Sequence, residues 1–119
     1  MIRAIRGAVT VEKNERAAVF DSVKSLMRKI MDDNHLDAED MIDIIFTVTP
    51  DLTCAFPAAA VRDMGITDVP LLDMAAPDID GALRMCIRVM VHVDTELQNS
   101  SLRHVYMGGA AVLRPDLAG

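Results

Sequence analysis

The chain has no tryptophan, one tyrosine and three phenylalanines among its 119 residues. Its core must therefore come from Ile, Val, Leu, Met and Ala, which a hydrophobic content of 51% supplies. Cysteine is equally sparse. Cys54 and Cys86 lie far outside C-x-x-C spacing and no export signal accompanies them, which predicts a reduced protein in the cytoplasm. Apolar runs such as Ile44-Ile45-Phe46 fall well short of the ~20 residues that a membrane span needs. Arg3 and Arg6 are followed by no apolar stretch of signal-peptide type. Positive charge is also in deficit. Twelve Lys and Arg against 18 Asp and Glu leave a net charge of −6, which argues against nucleic acid or an anionic membrane as partner.

Common catalytic signatures are missing as well. There is no Gly-rich phosphate loop, and Gly108-Gly109 alone is a turn signal. No serine lies in a G-x-S-x-G elbow, so acyl transfer has no support. His35, His92 and His104 are not at metal-ligand spacing and read as ordinary surface or partly buried histidines, so no metal site is expected. Cys86, beside Ile87, reads as core rather than nucleophile, because nothing near it in sequence lowers a thiol pKa.

What is present fits one domain, residues 1–119. A domain this small buries a modest share of its surface, and association with further copies is a common remedy. Nine methionines read mainly as adaptable core filler. Ile2–Val11 is short, apolar and β-branched, and predicts a first strand. Asn14 is a candidate helix cap with Glu15 in the first turn. Val19, Phe20, Val23, Leu26, Met27, Ile30 and Met31 then recur at helical spacing, and Asn34 is a stop signal. A turn over Asp37–Asp40 leads to a strand over Met41–Thr49, ended by Pro50. Pro57–Met64 predicts a short helix closed by Gly65. Val69–Asp73 predicts a brief strand, and Met74–Gly81 a loop. In Leu83–Val93, Ile87, Val89, Val91 and Val93 alternate with Arg88, Met90 and His92. Leu102–Met107 and Ala110–Leu113 predict two further short strands. Roughly five strands and one long helix make an α+β domain with one sheet face under the helix and the other in need of a cover. Another copy of the chain is the candidate for that cover.

Against this background, the arginines in apolar company stand out. Arg6, Arg62, Arg88 and Arg114 neighbour hydrophobic residues, unlike Arg28 and Lys29 on the polar side of the helix. Two readings stay open from spacing alone. They are structural ion-pair partners or edge charges that discourage strand pairing, or they form an anion site, since a guanidinium offers forked donors to carboxylates.

Several stretches in order along the chain bear on that choice. Ile5-Arg6-Gly7-Ala8-Val9-Thr10-Val11-Glu12 resembles the N-terminal signature of the trimeric α/β class of monofunctional chorismate mutases. Thr49-Pro50-Asp51-Leu52, Phe56-Pro57-Ala58 and Ala60-Val61-Arg62 resemble the next block, and Cys86-Ile87-Arg88-Val89-Met90 the catalytic strand. Arg103-His104-Val105-Tyr106 and Val112-Leu113-Arg114-Pro115-Asp116-Leu117 complete a match that covers nearly the whole chain.

The resemblance implies a mixed sheet on a long helix, a homotrimeric pseudo-α/β-barrel with active sites between subunits, and rearrangement of chorismate to prephenate on the way to phenylalanine and tyrosine. It implies no cofactor. By the matching motifs, Arg88 stabilises the ether oxygen, and Arg6 and Tyr106 bind the side-chain carboxylate. Phe56 forms an apolar wall, Arg62 and Arg114 stand near the entrance, and Leu72 and Leu113 line the pocket. Two positions depart from the pattern. Ala76 stands where the family usually has a glutamate, and Asp73, three residues earlier, is expected to take over that work and help to position Arg88; the competing role for Asp73 is a loop cap. Ala59 replaces a lysine beside the cleft, which predicts weaker substrate capture, and Gly65-Ile66-Thr67 is one residue shorter than in some relatives. The missing glutamate leaves room for a non-catalytic trimeric module that binds an aromatic carboxylate. An imine deaminase of similar trimeric fold is the enzymatic alternative, although the Cys86–Met90 and Arg114–Leu117 runs fit the mutases better.

Overall fold

β-branched and apolar residues alternating with polar ones make half-buried strands, of which the described residues form five. In the computed structural model, which describes residues 1–116, they are β1 (Ile2–Thr10), β2 (Met41–Val48), β3 (Leu71–Ala75), β4 (Cys86–Asp94) and β5 (Val105–Met107). They form one sheet in the order β3-β2-β4-β1-β5. The β2–β4 and β4–β1 pairs are antiparallel, whereas β2–β3 and β1–β5 are parallel. The sheet is mixed, as expected. Leu117, the last residue of the C-terminal run, lies outside the described residues.

Helix α1 (Arg16–Asp33) packs across β1 and β5 and against a second helix, α2 (Pro57–Asp63). Its buried stripe is Val19, Phe20, Val23, Leu26, Met27 and Ile30, as the 3.6-residue period requires. These side chains meet Ile5, Val9, Ile44, Phe46, Ile87, Val89, Val91 and Val93 from the sheet in one core. Asn34, 1% exposed, ends the helix and joins it to the approach of β5. Its side-chain amide donates to Ile30 O (2.8 Å) and Arg103 O (2.9 Å), and its side-chain oxygen accepts from Arg103 N–H (2.8 Å).

Paired residues share a face, so the register sorts the sheet. Ile5, Val9, Phe46, Ile87 and Val89 face the helices. Arg6, Ala8, Ile45, Thr47, Arg88, Met90 and Tyr106 face the other way. A small cluster of Ala8, Cys86 and Ala110, with Leu83, Tyr106 and Leu113 against it, covers one end of that second face. The remainder is open, and it exposes Leu72 (54%), Met74 (50%) and Met90 (38%).

Three local expectations are corrected. Asn14 does not cap α1. The cap position is Glu15, without a side-chain hydrogen bond and with no acidic residue in the first turn, and Asn14 instead exchanges two hydrogen bonds with Thr53. Ala110–Leu113 is not a strand but part of a 3-10 segment, Gly108–Leu113. Gly108 takes a positive φ of 60°, and Gly109 N–H donates to Thr10 Oγ1 at 2.8 Å, which turns the chain back over β1. The fourth strand starts at Cys86 rather than Leu83, because Met85 sits in the left-handed region at φ 52° and breaks the extended backbone.

Candidate active site

Strand β4 projects Arg88 from the open face between Ala8 of β1 and Thr47 of β2. Tyr106 of β5 lies on the far side of Ala8 in the same row. Arg6 is one step along β1, opposite Met90. The chain then folds Leu113 and Arg114 over this end. Together Arg6, Arg88, Tyr106, Leu113 and Arg114 line a cleft of about 430 Å3 with apolar walls from Ile45 and Met90. Five residues expected in the site from separate parts of the sequence therefore meet in one place.

Charge in this cleft is unbalanced. Among the described residues, neither Arg6 nor Arg88 forms a salt bridge. Arg114 is forked onto Asp116, with Nε at 3.1 Å and Nη2 at 2.8 Å from its two carboxylate oxygens. His104 accepts a hydrogen bond from Arg6 N–H through Nδ1 at 3.0 Å, a role only the neutral ring can play. Burial, then the charges of Arg6 and Arg114, hold its pKa below the usual histidine value. Cys86 is 2% exposed and shares the face of Arg88. Burial pushes its thiol pKa up, against the pull of the Arg88 guanidinium, so it remains a protonated core residue rather than a nucleophile.

The other expected residues are elsewhere. Asp73 and Phe56 line a separate concavity of about 400 Å3 beside β3, at the opposite edge of the sheet. Asp73 pairs with Phe46 and so faces the helices, whereas Arg88 pairs with Thr47 and faces away from them. Asp73 cannot position the Arg88 of its own chain. Its Oδ1 accepts from Ala58 N–H at 3.1 Å and thereby holds the start of α2. Burial raises its pKa above 3.8, opposed by that hydrogen bond and by the charge of Arg62. Leu72 lies on the open face of edge strand β3, opposite Ile45, and Arg62 is exposed on α2. Ala76 donates its N–H to Val48 O at 2.9 Å just past β3, and Ala59 is half-buried on α2.

Sequence reasoning missed His104 as the support of Arg6, and Ile45, Thr47 and Met90 as walls. Position two residues before Tyr106 in the Arg103–Tyr106 block was the available signal for His104. The others needed the register. A larger hollow of about 620 Å3 behind β5 is lined by His104 and shares Tyr106 with the cleft but contains neither Arg6 nor Arg88, so volume does not mark the site.

A mixed sheet that turns a tyrosine and two guanidinium groups, without a salt bridge among the described residues, toward an apolar cleft defines an α+β protein with a cleft that suits a small anion. The comparisons give that class a family. The model for chorismate mutase type I matches residues 2–117. Chorismate mutase AroH of Bacillus subtilis (strain 168) is 44% identical over 119 residues, covering 99% of this chain and 94% of that protein. Chorismate mutase AroH of Thermus thermophilus is 42% identical over 118 residues, covering 98% and 97%. A solved chorismate mutase from Clostridium thermocellum superposes with a TM-score of 0.91 at 44% identity, covering 92% of this chain and 98% of that one. The chain belongs to the chorismate mutase type I family, and it is an isomerase.

Proposed function

We propose that the chain rearranges chorismate to prephenate in clefts shared between neighbouring copies of a homotrimer in the cytoplasm. Chorismate mutase activity is the function that family membership and cleft together support. The observation that carries the mechanism is the convergence of Arg6, Arg88 and Tyr106 on one apolar-walled cleft. Among the described residues no helix is long and apolar enough to cross a membrane.

The reaction breaks a C–O bond and makes a C–C bond within one molecule, with no proton transfer and no nucleophile. The protein has two tasks. It must hold a dianion in its compact reactive shape, and it must meet negative charge growing on the ether oxygen. Orientation supplies up to ~7–11 kcal/mol in favourable intramolecular cases. A fixed donor at the developing charge adds ~3–4 kcal/mol. A millionfold acceleration needs only ~8 kcal/mol. In this reading Arg88 meets the ether oxygen, Arg6 and Tyr106 bind the side-chain carboxylate, and Leu113 closes the pocket. Arg114 guards the entrance.

Phe56, Arg62, Leu72 and Asp73 stand on or beside β3, at the far edge of the sheet from β5. Four strand spacings separate β3 from β5, roughly 19 Å. A second copy laid on the open face brings its own β3 edge to the Arg88 cleft and completes the site. Asp73 then acts from the neighbouring subunit, toward the substrate hydroxyl.

Incubation of the purified protein with chorismate tests this reading, with chorismate loss and prephenate formation followed together. Binding without turnover would leave only an aromatic-carboxylate module. Turnover of an imine but not of chorismate would make the chain a deaminase.

A further inference from the structure

The Thr49-Pro50-Asp51 turn has no part in the cleft, yet its side chains converge on the two residues that open β4. Met85 N–H donates to both carboxylate oxygens of Asp51, at 3.1 and 3.0 Å. Thr49 Oγ1 accepts from Cys86 N–H at 3.0 Å and donates to Asp51 Oδ1 at 2.6 Å. Thr49 N–H donates to Cys86 O at 3.2 Å, and Val11 N–H to Met85 O at 2.7 Å. These bonds surround a strained residue. Among the described residues only His35 and Met85 are non-glycines with positive φ, and Met85 lies three positions before Arg88.

We propose that Asp51 and Thr49 are positioning residues for Arg88, a clamp that holds Met85 in the left-handed corner and so fixes where β4 begins. A left-handed residue with a Cβ persists only where its surroundings over-determine it. Without the clamp, Met85 relaxes toward extended backbone and the strand start shifts. Side chains alternate along a strand, so a slip of one residue turns Arg88 onto the helix face, and a smaller rotation moves its guanidinium within the cleft. Thr49 hydrogen bonding, foremost among several causes, also keeps the Asp51 carboxyl below its ordinary pKa, so both acceptor oxygens stay available near neutral pH.

The inference rests on the proposed role of Arg88 and deepens it. A donor that acts in the transition state affects kcat more than KM. Asp51→Ala is therefore expected to lower kcat for chorismate by ~10–100-fold, the scale of a misplacement of about 1 Å, with KM changed far less. Asp51→Asn, which keeps one acceptor oxygen, is expected to fall between the two. Hydrogen exchange at the Val11 amide should quicken in Asp51→Ala while the amides of α1 stay protected. Wild-type kcat in a folded Asp51→Ala, or a loss confined to KM, overturns the proposal. Where Asp51→Ala does not fold, the isosteric Thr49→Val carries the test, and wild-type kcat in that variant overturns it equally. If the wild-type protein leaves chorismate untouched, the functional reading has failed, and exchange at Val11 still decides whether the clamp exists.

Discussion

In the proposed mechanism, Arg88 is the residue on which the chemistry turns. Its guanidinium has no carboxylate partner among the described residues, so its forked donors are available to a substrate. Arg88→Lys keeps the charge and loses the fork. It is expected to lower kcat by roughly 100-fold or more, the cost of one misplaced oxyanion donor, with a smaller change in KM. Steady-state kinetics on chorismate checks this. Asp73 carries a different trade. Because burial raises its folded pKa above 3.8, the folded state holds that proton more tightly than the unfolded chain does. The cost of ionising it is absent below pH 3.8 and is imposed as pH rises through the folded value. Asp73→Asn removes that cost and keeps an acceptor for Ala58 N–H. It should raise Tm at pH 7, with the gain vanishing below about pH 4, and lower turnover if the carboxylate works on the substrate of a neighbouring subunit. Thermal melts across pH, set beside kinetics, separate the two effects.

The elements are packed closely enough that the cleft depends on their spacing. Gly7, paired with Val105 in the parallel β1–β5 ladder, faces α1. A Cβ there would stand 2.9 Å from Val105 O, 3.1 Å from Ile30 Cδ1 and 3.2 Å from Leu26 Cδ1. A backbone carbonyl cannot swing aside as a side-chain tip can. Gly7→Ala should therefore destabilise the fold by about 1–3 kcal/mol, the usual cost of overpacking. It should also push β5 outward with Tyr106 and His104, so that KM rises as stability falls. Urea denaturation and kinetics on the same variant check both. At this scale the sequence was most readable where periodicity was strong. The α1 stripe and the alternation of β4 are both present, because burial on one side imposes one period on each. The short elements shifted. The strand expected over Val69–Asp73 runs Leu71–Ala75, and that expected over Leu102–Met107 shortens to Val105–Met107. Their limits are set by which residues find a partner strand, not by their own composition.

At the scale of the molecule, one chain carries two separate concavities at opposite edges of its sheet and an open face between them. The Arg88 cleft and the Asp73–Phe56 concavity share no residue. The proposed union of the two in a trimer predicts complementation. Arg88→Ala damages one half, and Phe56→Asp sets a negative charge in the other against a dianionic substrate. Each variant alone should be nearly inactive. Hybrids formed by co-expression contain some clefts with both halves intact, and activity should recover above either parent. Sedimentation of the wild-type protein should report three copies. A monomer with full activity would overturn the shared site.

By itself the sequence determined the period of each long element, the apolar composition of the core and the ordered motif blocks that resemble one family. These are local properties, written in neighbouring residues. Only the tertiary structure decided which of those blocks meet. Register, a relation between strands far apart in the chain, put Arg6, Arg88 and Tyr106 on one face and turned Asp73 to the other. Nothing in the local pattern around Asp73 encodes that turn, because a side chain's face in a sheet is set by its partner across the ladder.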